Sequence, residues 1–148
     1  MRYFIDTNIF LFVTREGDEL DSDVKEILED YGNSFLISSE SIREIAALVK
    51  NGRIRVKGWQ DFTGIKASLD EHGIEIRYVA EAHLKTLFNL TPARDHSDPA
   101  DLMIIAQAIT ENIPLISSDT KFPLYTPQGL KFIQNNRRVM AIRKRQRD

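Results

Sequence analysis

Short apolar runs alternate along the chain with longer segments in which apolar residues recur at every third or fourth position. The short runs predict buried strands and the longer segments predict amphipathic helices, because these spacings match the two structures. The predicted strands cover residues 3–5, 35–37, 74–79, 114–119 and 130–133. The predicted helices cover residues 20–31, 38–49, 59–72, 80–90 and 98–109. Regular strand–helix alternation favours an α/β fold with a parallel sheet and helices on both faces.

Acidic residues follow two of these strands and lie in the first turns of two helices. Ligands bind outside the carboxyl ends of parallel strands, so these carboxylates are expected to converge at one edge of the sheet. Unit charges about 4 Å apart would repel by roughly 4 kcal/mol, a cost that a divalent cation removes. All-oxygen ligation suits Mg²⁺ or Mn²⁺. The candidate ligands are Asp6, Glu44, Asp98, Asp101 and Asp119.

A metal centre of this kind is suited to cleavage of phosphodiester or phosphoryl bonds, because the ion activates water and stabilises the leaving oxygen. Each carboxylate also has a structural alternative. These alternatives are a helix N-cap for Asp98, a helix-dipole position for Asp101, a capping box between Ser41 and Glu44, and turns for Asp6 and Asp119. The joint placement of the carboxylates at one sheet edge favours the metal site.

Uncharged polar residues share the predicted loops with the carboxylates. Their hydroxyl and amide groups serve either turns and helix caps or the orientation of metal ligands. The auxiliary candidates are Thr7, Asn8 and Ser118, with Ser38 and Ser117 on the same loops.

The three histidines favour structural interpretations. His96 lies two residues before Asp98 and is expected to be a solvated loop residue, although it could approach a substrate or metal. His72 and His83 lie on predicted helices and have no partner pattern.

Composition narrows the classes of function. The chain has 148 residues and no cysteine, which excludes disulfide scaffolds, thiol catalysis and cysteine-ligated metal centres. Its longest early apolar run, residues 9–13, is far too short to cross a membrane, so we expect a soluble, cytoplasmic protein. Residues 1–136 carry 14 basic and 21 acidic residues, a balance of −7, whereas residues 137–148 carry six basic residues and one acidic residue. We therefore expect one domain over residues 1–135 and a basic tail over 136–148 that would bind a polyanion or an acidic partner.

With these positions in place, the chain resembles the PIN-domain ribonucleases of the VapC toxin type. The resemblance extends over most of residues 1–135, and its motifs recur in the family's order and spacing. The matching segments are Phe4-Ile5-Asp6-Thr7-Asn8, residues 38–46, residues 98–108 from Asp-Pro-Ala-Asp to Ala108, and Leu115-Ile116-Ser117-Ser118-Asp119.

The resemblance implies a three-layer α/β/α domain and a Mg²⁺- or Mn²⁺-dependent endoribonuclease. It matches Asp6, Glu44, Asp101 and Asp119 to the family's acidic quartet and Asp98 to an extra aspartate found in one branch. It further implies an RNA substrate, a cognate antitoxin that covers the active site, and a homodimer. The chain departs from the family pattern at three positions: Arg43 replaces a tryptophan, Ala100 an aromatic residue and Leu102 an arginine.

An acidic cleft attracts RNA poorly on its own, so basic residues around it are expected to contribute substrate affinity. The candidates that follow the second predicted strand are Arg43, Lys50, Arg53 and Arg55, together with Lys57. A solvated helix end is the alternative interpretation of this group.

Three other functions compete with the nuclease. A haloacid dehalogenase-like phosphatase also carries an aspartate after its first strand, but it requires a second one two residues later, where this chain has Asn8. A receiver domain requires an aspartate after its third strand, where Arg77-Tyr78-Val79 offers none. The third alternative is a non-catalytic domain that binds RNA or a basic peptide.

Overall fold

A computed structural model describes residues 1–15 and 18–136. Five strands form its sheet: β1 (Arg2–Ile5), β2 (Ser34–Ser38), β3 (Ile74–Arg77), β4 (Leu115–Ser117) and β5 (Phe132–Gln134). The α-helices are α1 (Thr7–Arg15), α2 (Ser22–Glu29), α3 (Ser39–Lys50), α4 (Phe62–Glu71), α5 (Glu81–Asn89) and α6 (Pro99–Glu111). A 3-10 helix, Phe122–Gln128, lies between β4 and β5.

The sheet has the order β3-β2-β1-β4-β5, and every strand pair is parallel. The chain builds outward from β1 to β2 and β3 on one side, and then returns to place β4 and β5 on the other. The point between β1 and β4 where this order reverses is where parallel sheets open a crevice for ligands. The register pairs Ile5 with Ile37 of β2 and with Ile116 of β4, so the three strands end at this crevice together.

Alternate residues of each central strand supply two separate cores, one on each face of the sheet. Tyr3 and Ile5 pack with buried residues of α1 to α4 on one face. Phe4 packs with residues of α6 and the 3-10 helix on the other face. This arrangement confirms the predicted three-layer α/β/α fold and its parallel sheet.

Two elements of the fold were not predicted. The expected loop at Asp6-Thr7-Asn8 is wrong, because Thr7 and Asn8 begin helix α1. The apolar run within α1, residues 9–13, is only five residues long, which is too short to show a helical period. The 3-10 helix was also missed, because Pro123 and Pro127 interrupt the pattern of an ordinary helix. Strand β5 begins at Phe132, two residues after its predicted start at residue 130.

The basic tail predicted at 136–148 lies outside the described residues except for Asn136, so the domain boundary near residue 135 stays a prediction. No helix in the described part of the chain is long and apolar enough to span a membrane.

The loop before α4 passes so close to the helix that only glycine fits at position 64. A Cβ atom at Gly64 would lie 1.5 Å from the backbone oxygen of Gly58. This approach lets Trp59 stack on Phe10, with ring centroids 5.6 Å apart, and donate to Ser68 Oγ over 2.8 Å. Gly64 therefore allows the Trp59 ring to fill the core beside α1.

We expect Gly64→Ala to lower the free energy of unfolding by about 3 kcal/mol or more, because the obstructing atom belongs to the backbone. Urea unfolding followed by circular dichroism measures the effect. Gly32→Ala is the matched control, since its Cβ would meet only a side-chain oxygen of Asp30 at 3.2 Å. Equal stability of the Gly64 and Gly32 variants would contradict this account of the loop.

Candidate active site

Asp6 lies at the carboxyl end of the central strand, with only 6% of its surface exposed. The backbone N–H of Ile9 donates to its Oδ1 over 2.9 Å, and the Ser117 hydroxyl donates to its Oδ2. Burial raises the pKa of Asp6 to about 7; the two hydrogen bonds oppose this shift, and the charges of Asp101 and Asp119 add to it. Asp6 is therefore a carboxylate whose charge the protein alone leaves poorly compensated.

Ser117 connects β4 to two of the predicted site residues. While its hydroxyl donates to Asp6, its oxygen accepts from the backbone N–H of Asp119 over 3.0 Å. The register that pairs Ile5 with Ile116 places Ser117 next to Asp6. Ser117 thus orients the buried carboxylate directly.

Glu44 reaches the same region from the second turn of α3. The Thr7 hydroxyl donates to its Oε1 over 2.9 Å, which brings the ends of β1 and β2 together. Burial is the main cause that raises the pKa of Glu44, and the charges of Asp101 and Asp98 raise it further. The predicted orienting role of Thr7 therefore agrees with this contact.

Asp101 lies in the first turn of α6, half-buried, with 22% of its side chain exposed. Burial raises its pKa, a hydrogen bond from His96 opposes that rise, and the charges of Asp98 and Asp119 add to it. His96 Nε2 lies 3.2 Å from Asp101 Oδ2. The charge of Asp101 in turn raises the pKa of Asp6 and of Glu44, so the three carboxylates are electrostatically coupled.

Asp98 and Asp119 each perform a local structural task at the rim of the site. Asp98 is the N-cap of α6, where its Oδ1 accepts from the backbone N–H groups of Ala100 and Asp101 at 2.9 and 3.2 Å. Asp119 Oδ1 accepts from the Lys121 backbone N–H over 2.8 Å. Both structural alternatives are present, and both carboxylates also raise the pKa of Asp101.

An open cleft of about 590 Å³ lies over this region. It is lined by Asn8, residues 95–98, Asp101 and residues 118–121. Within the described residues, no lysine or arginine forms an ion pair with the four quartet carboxylates. Lys121 lines the cleft, but its ammonium group donates to the backbone oxygen of Asp95.

The fit of this site to a divalent ion rests on the chemistry of its donors. No group of three or more His, Asp or Glu side chains within residues 1–15 and 18–136 is spaced to hold an ion unaided. Mg²⁺ commonly takes one or two carboxylates and completes its shell with water and phosphate oxygens. Asp6 and Asp101 offer such a pair, because both are oxygen donors whose pKa values are raised mainly by burial and further by neighbouring carboxylates.

Of the predicted basic rim, only Arg43 lies close to the carboxylates. It forms an ion pair with Glu40 over 2.6 Å and lowers the pKa of Glu44 by its charge. The structure places Lys50 at the far end of α3, roughly 16 Å along the helix axis from its start. Arg53 and Arg55 follow Lys50 and are exposed, and a contribution of these three residues to a basic rim stays a prediction.

The sequence interpretation of His96 was wrong, whereas His83 lies on a helix as predicted. His96 is buried rather than solvated, with its Nδ1 2.7 Å from the Tyr125 hydroxyl and its Nε2 near Asp101. His83 is also buried, and its Nε2 lies 2.9 Å from Glu111 Oε2. These partners are 5 to 29 residues away in the chain, where no local spacing rule identifies them.

One further assignment at the site needs correction. Ser38, not Ser41, caps α3 by accepting from the Glu40 backbone N–H over 3.0 Å, so Ser41 and Glu44 form no capping box. Ser118 accepts from Asn135 Nδ2 over 2.8 Å, whereas Ser117 holds Asp6. Ser117 therefore makes the contact with Asp6, and a further auxiliary role of Ser118, which lines the cleft just after β4, stays a prediction.

The PIN domain family matches residues 3–126 of the chain. No match was found among curated proteins. The chain is similar in fold to three solved structures. The first is VapBC2 from Rickettsia felis bound to a DNA fragment from their promoter, with 20% identity, a TM-score of 0.64, and coverage of 91% of this chain and 99% of that one. The second is VapBC-1 from nontypeable Haemophilus influenzae, with 17% identity, a TM-score of 0.62, and coverage of 90% of this chain and 98% of that one. The third is FitAcB from Neisseria gonorrhoeae, with 15% identity, a TM-score of 0.58, and coverage of 89% of this chain and 96% of that one.

The buried charge of Asp6 predicts a pH-dependent stability. The pKa of Asp6 in the folded protein, about 7, lies above the ordinary aspartate value of 3.8, so the folded protein binds more protons than the unfolded chain between these values. In metal-free buffer, the free energy of unfolding should fall by up to about 4 kcal/mol as the pH rises through this window. Asp6→Asn should remove most of this fall and raise Tm at pH 8.

Thermal unfolding in a chelator at pH 5 and pH 8 measures this difference. Asp23→Asn, at an exposed position on α2, is the control that removes the same charge from the surface. A fall in stability of equal size in the wild type and Asp6→Asn would show that another group carries the pH dependence.

Proposed function

The chain belongs to the PIN domain family, and on that premise we propose that it is a Mg²⁺- or Mn²⁺-dependent endoribonuclease. One observation carries the proposal. Asp6 is buried at the crevice between β1 and β4, in electrostatic contact with Asp101 and Asp119, and no lysine or arginine of the described residues pairs with it. Keeping such a carboxylate costs stability, and a bound cation removes that cost.

In this proposal, Asp6 and Asp101 would hold the ion directly, and Glu44 and Asp119 would complete its surroundings either directly or through water. Ser117 and Thr7 orient Asp6 and Glu44 through the hydrogen bonds described above. Asp98 supports Asp101 by capping α6. When bound, the ion supplies Lewis acidity that activates water and stabilises the charge developing on the phosphate.

The chain's own groups perform the remaining steps of hydrolysis. In this proposal, the half-buried Glu44 and Asp119 carboxylates would accept the proton of the attacking water or hold that water. Asn8 is exposed in the cleft and offers an amide to a ribose or phosphate oxygen. Arg43 lies at the rim, where its guanidinium group can meet the phosphate backbone of the RNA.

We also propose that the protein is the toxin of a type II toxin–antitoxin pair, acting in the cytoplasm as a homodimer. The similar structures from Rickettsia felis and Haemophilus influenzae are both VapBC assemblies, which supports an antitoxin partner. An antitoxin with a basic side chain would complement the acidic cleft. Helix α5 exposes two large apolar residues one turn apart, Leu84 and Phe88, which offer apolar area for a dimer contact.

The alternative functions gain no support. The match over residues 3–126 is to PIN domains, not to haloacid dehalogenase-like phosphatases. The strand order β3-β2-β1-β4-β5 differs from the 2-1-3-4-5 order of receiver domains. A non-catalytic RNA-binding domain would have no use for a buried, uncompensated Asp6.

We expect the purified protein to cleave RNA internally only when Mg²⁺ or Mn²⁺ is present. Asp6→Asn and Asp101→Asn should each lower kcat/KM by about 100-fold or more, because each removes a direct metal ligand. Gel analysis of a structured RNA substrate measures cleavage, and Asp23→Asn is the active control. Full cleavage in a chelator, or release of phosphate from small esters with intact RNA, would contradict the nuclease.

Expression should arrest bacterial growth in the wild type and not in Asp6→Asn. Co-expression of a small DNA-binding protein encoded immediately upstream should restore growth and yield a stable complex on size-exclusion chromatography. If the purified enzyme cleaves RNA but its expression leaves growth unchanged, the nuclease assignment stands and the toxin assignment fails.

A further inference from the structure

A chain of hydrogen bonds runs from the loop before α6 into the candidate active site. The Ala93 backbone N–H donates to the Tyr125 hydroxyl oxygen over 2.8 Å, and that hydroxyl lies 2.7 Å from His96 Nδ1. The opposite ring nitrogen, His96 Nε2, lies 3.2 Å from Asp101 Oδ2. His96 therefore joins a fully buried tyrosine to a carboxylate at the cleft.

The direction of these bonds follows from the groups at the two ends. An ionised Asp101 only accepts, so His96 Nε2 carries the proton that it donates. In a neutral imidazole, Nδ1 is then an acceptor, and the Tyr125 hydroxyl donates to it while accepting from Ala93. Each donor in the chain meets an acceptor, which defines one tautomer of the His96 ring.

The surrounding residues hold the His96 ring in one orientation. The ring packs against Tyr125, with centroids 5.4 Å apart, and against Phe122, with centroids 6.1 Å apart. Only 5% of His96 is exposed. A rotation of the ring would break both polar contacts and displace two aromatic neighbours.

The 3-10 helix and the residue before it also hold the loop that carries His96. The Gln128 side chain exchanges two hydrogen bonds with the Thr91 backbone, at 2.9 and 2.8 Å. Lys121 donates to the backbone oxygen of Asp95, which has a left-handed conformation with φ of 61°. These contacts hold the loop at Thr91 and at Asp95, and they come from residues on either side of Tyr125.

We propose that His96 is a positioning residue for Asp101, and that Tyr125 holds it in the tautomer and orientation that aim one Asp101 oxygen while leaving the other for a cation. This inference rests on the proposed function, because it assigns a purpose to the orientation of a metal-binding carboxylate. Partners that orient ligands in this way typically change metal affinity or activity by about 10- to 100-fold when they are removed.

Two substitutions at the same position separate the two contacts of His96. The Asn amide of His96→Asn reaches the position of Nδ1, so this variant keeps the Tyr125 side and loses Asp101. The longer amide of His96→Gln reaches the position of Nε2, so it keeps a donor toward Asp101. Tyr125→Phe removes only the hydroxyl group that holds the ring.

Mn²⁺ affinity, measured on the full-length protein by electron paramagnetic resonance of the free ion, is the primary readout. We expect His96→Asn to weaken Mn²⁺ binding by about 10- to 100-fold and His96→Gln to retain an affinity near that of the wild type. Tyr125→Phe should weaken binding by a smaller factor. At saturating Mn²⁺, the KM for RNA should change little in all three variants.

An unchanged Mn²⁺ affinity in His96→Asn would overturn the positioning role. The role would also be overturned if His96→Asn and His96→Gln lost Mn²⁺ affinity equally and in proportion to their decrease in Tm. If His96→Asn does not fold, the comparison of Tyr125→Phe with His96→Gln decides in the same way, because only the first should lose affinity. A wild type that binds no Mn²⁺, or an Asp101→Asn variant that binds it as the wild type does, would instead remove the proposed function and this inference with it.

Discussion

The burial of one carboxylate, that of Asp6, constrains the architecture around the candidate site. Its two oxygens are satisfied by the first turn of α1 and by Ser117 at the end of β4, so β1, α1 and β4 must meet there. Neither contact supplies a full positive charge. The pKa near 7 records that deficit, because desolvation outweighs the two hydrogen bonds. The proposed metal site thus coincides with a buried carboxylate that costs stability, and the surrounding α/β/α core must offset that cost.

The sequence predicted the features that depend on local pattern. Apolar runs at β1 and β2 and the helical spacing of α6 identified the parallel sheet, and parallel strands bring their carboxyl ends to one edge. That argument selected five carboxylates, Asp6, Glu44, Asp98, Asp101 and Asp119, and the family resemblance matched all of them except Asp98 to its acidic quartet. Their mutual effects on pKa agree with the expected proximity, while their roles as ligands remain proposals.

What the sequence did not predict depends on contacts between distant segments. The sequence predicted a solvated loop position for His96, because Tyr125, which packs against it, lies 29 residues later in the chain. Tyr125 belongs to a 3-10 helix that the sequence pattern did not predict, since prolines interrupt it. The choice of Ser117 over Ser118 required the pairing of β1 with β4, which places one serine beside Asp6 and turns the next toward Asn135. The predicted basic rim remains untested, and Arg43 and Lys50, seven residues apart on α3, are separated by about 10 Å along the helix axis.

The position of β1 in the middle of the sheet affects when the centre can assemble during synthesis. Asp6 and Ser117, which binds it, are 111 residues apart in the chain, so Asp6 is synthesised well before its partner. A domain folds as a unit, and this crevice lacks one wall until β4 has joined β1. A nascent chain therefore cannot complete the candidate site until the segment that forms β4 has been synthesised.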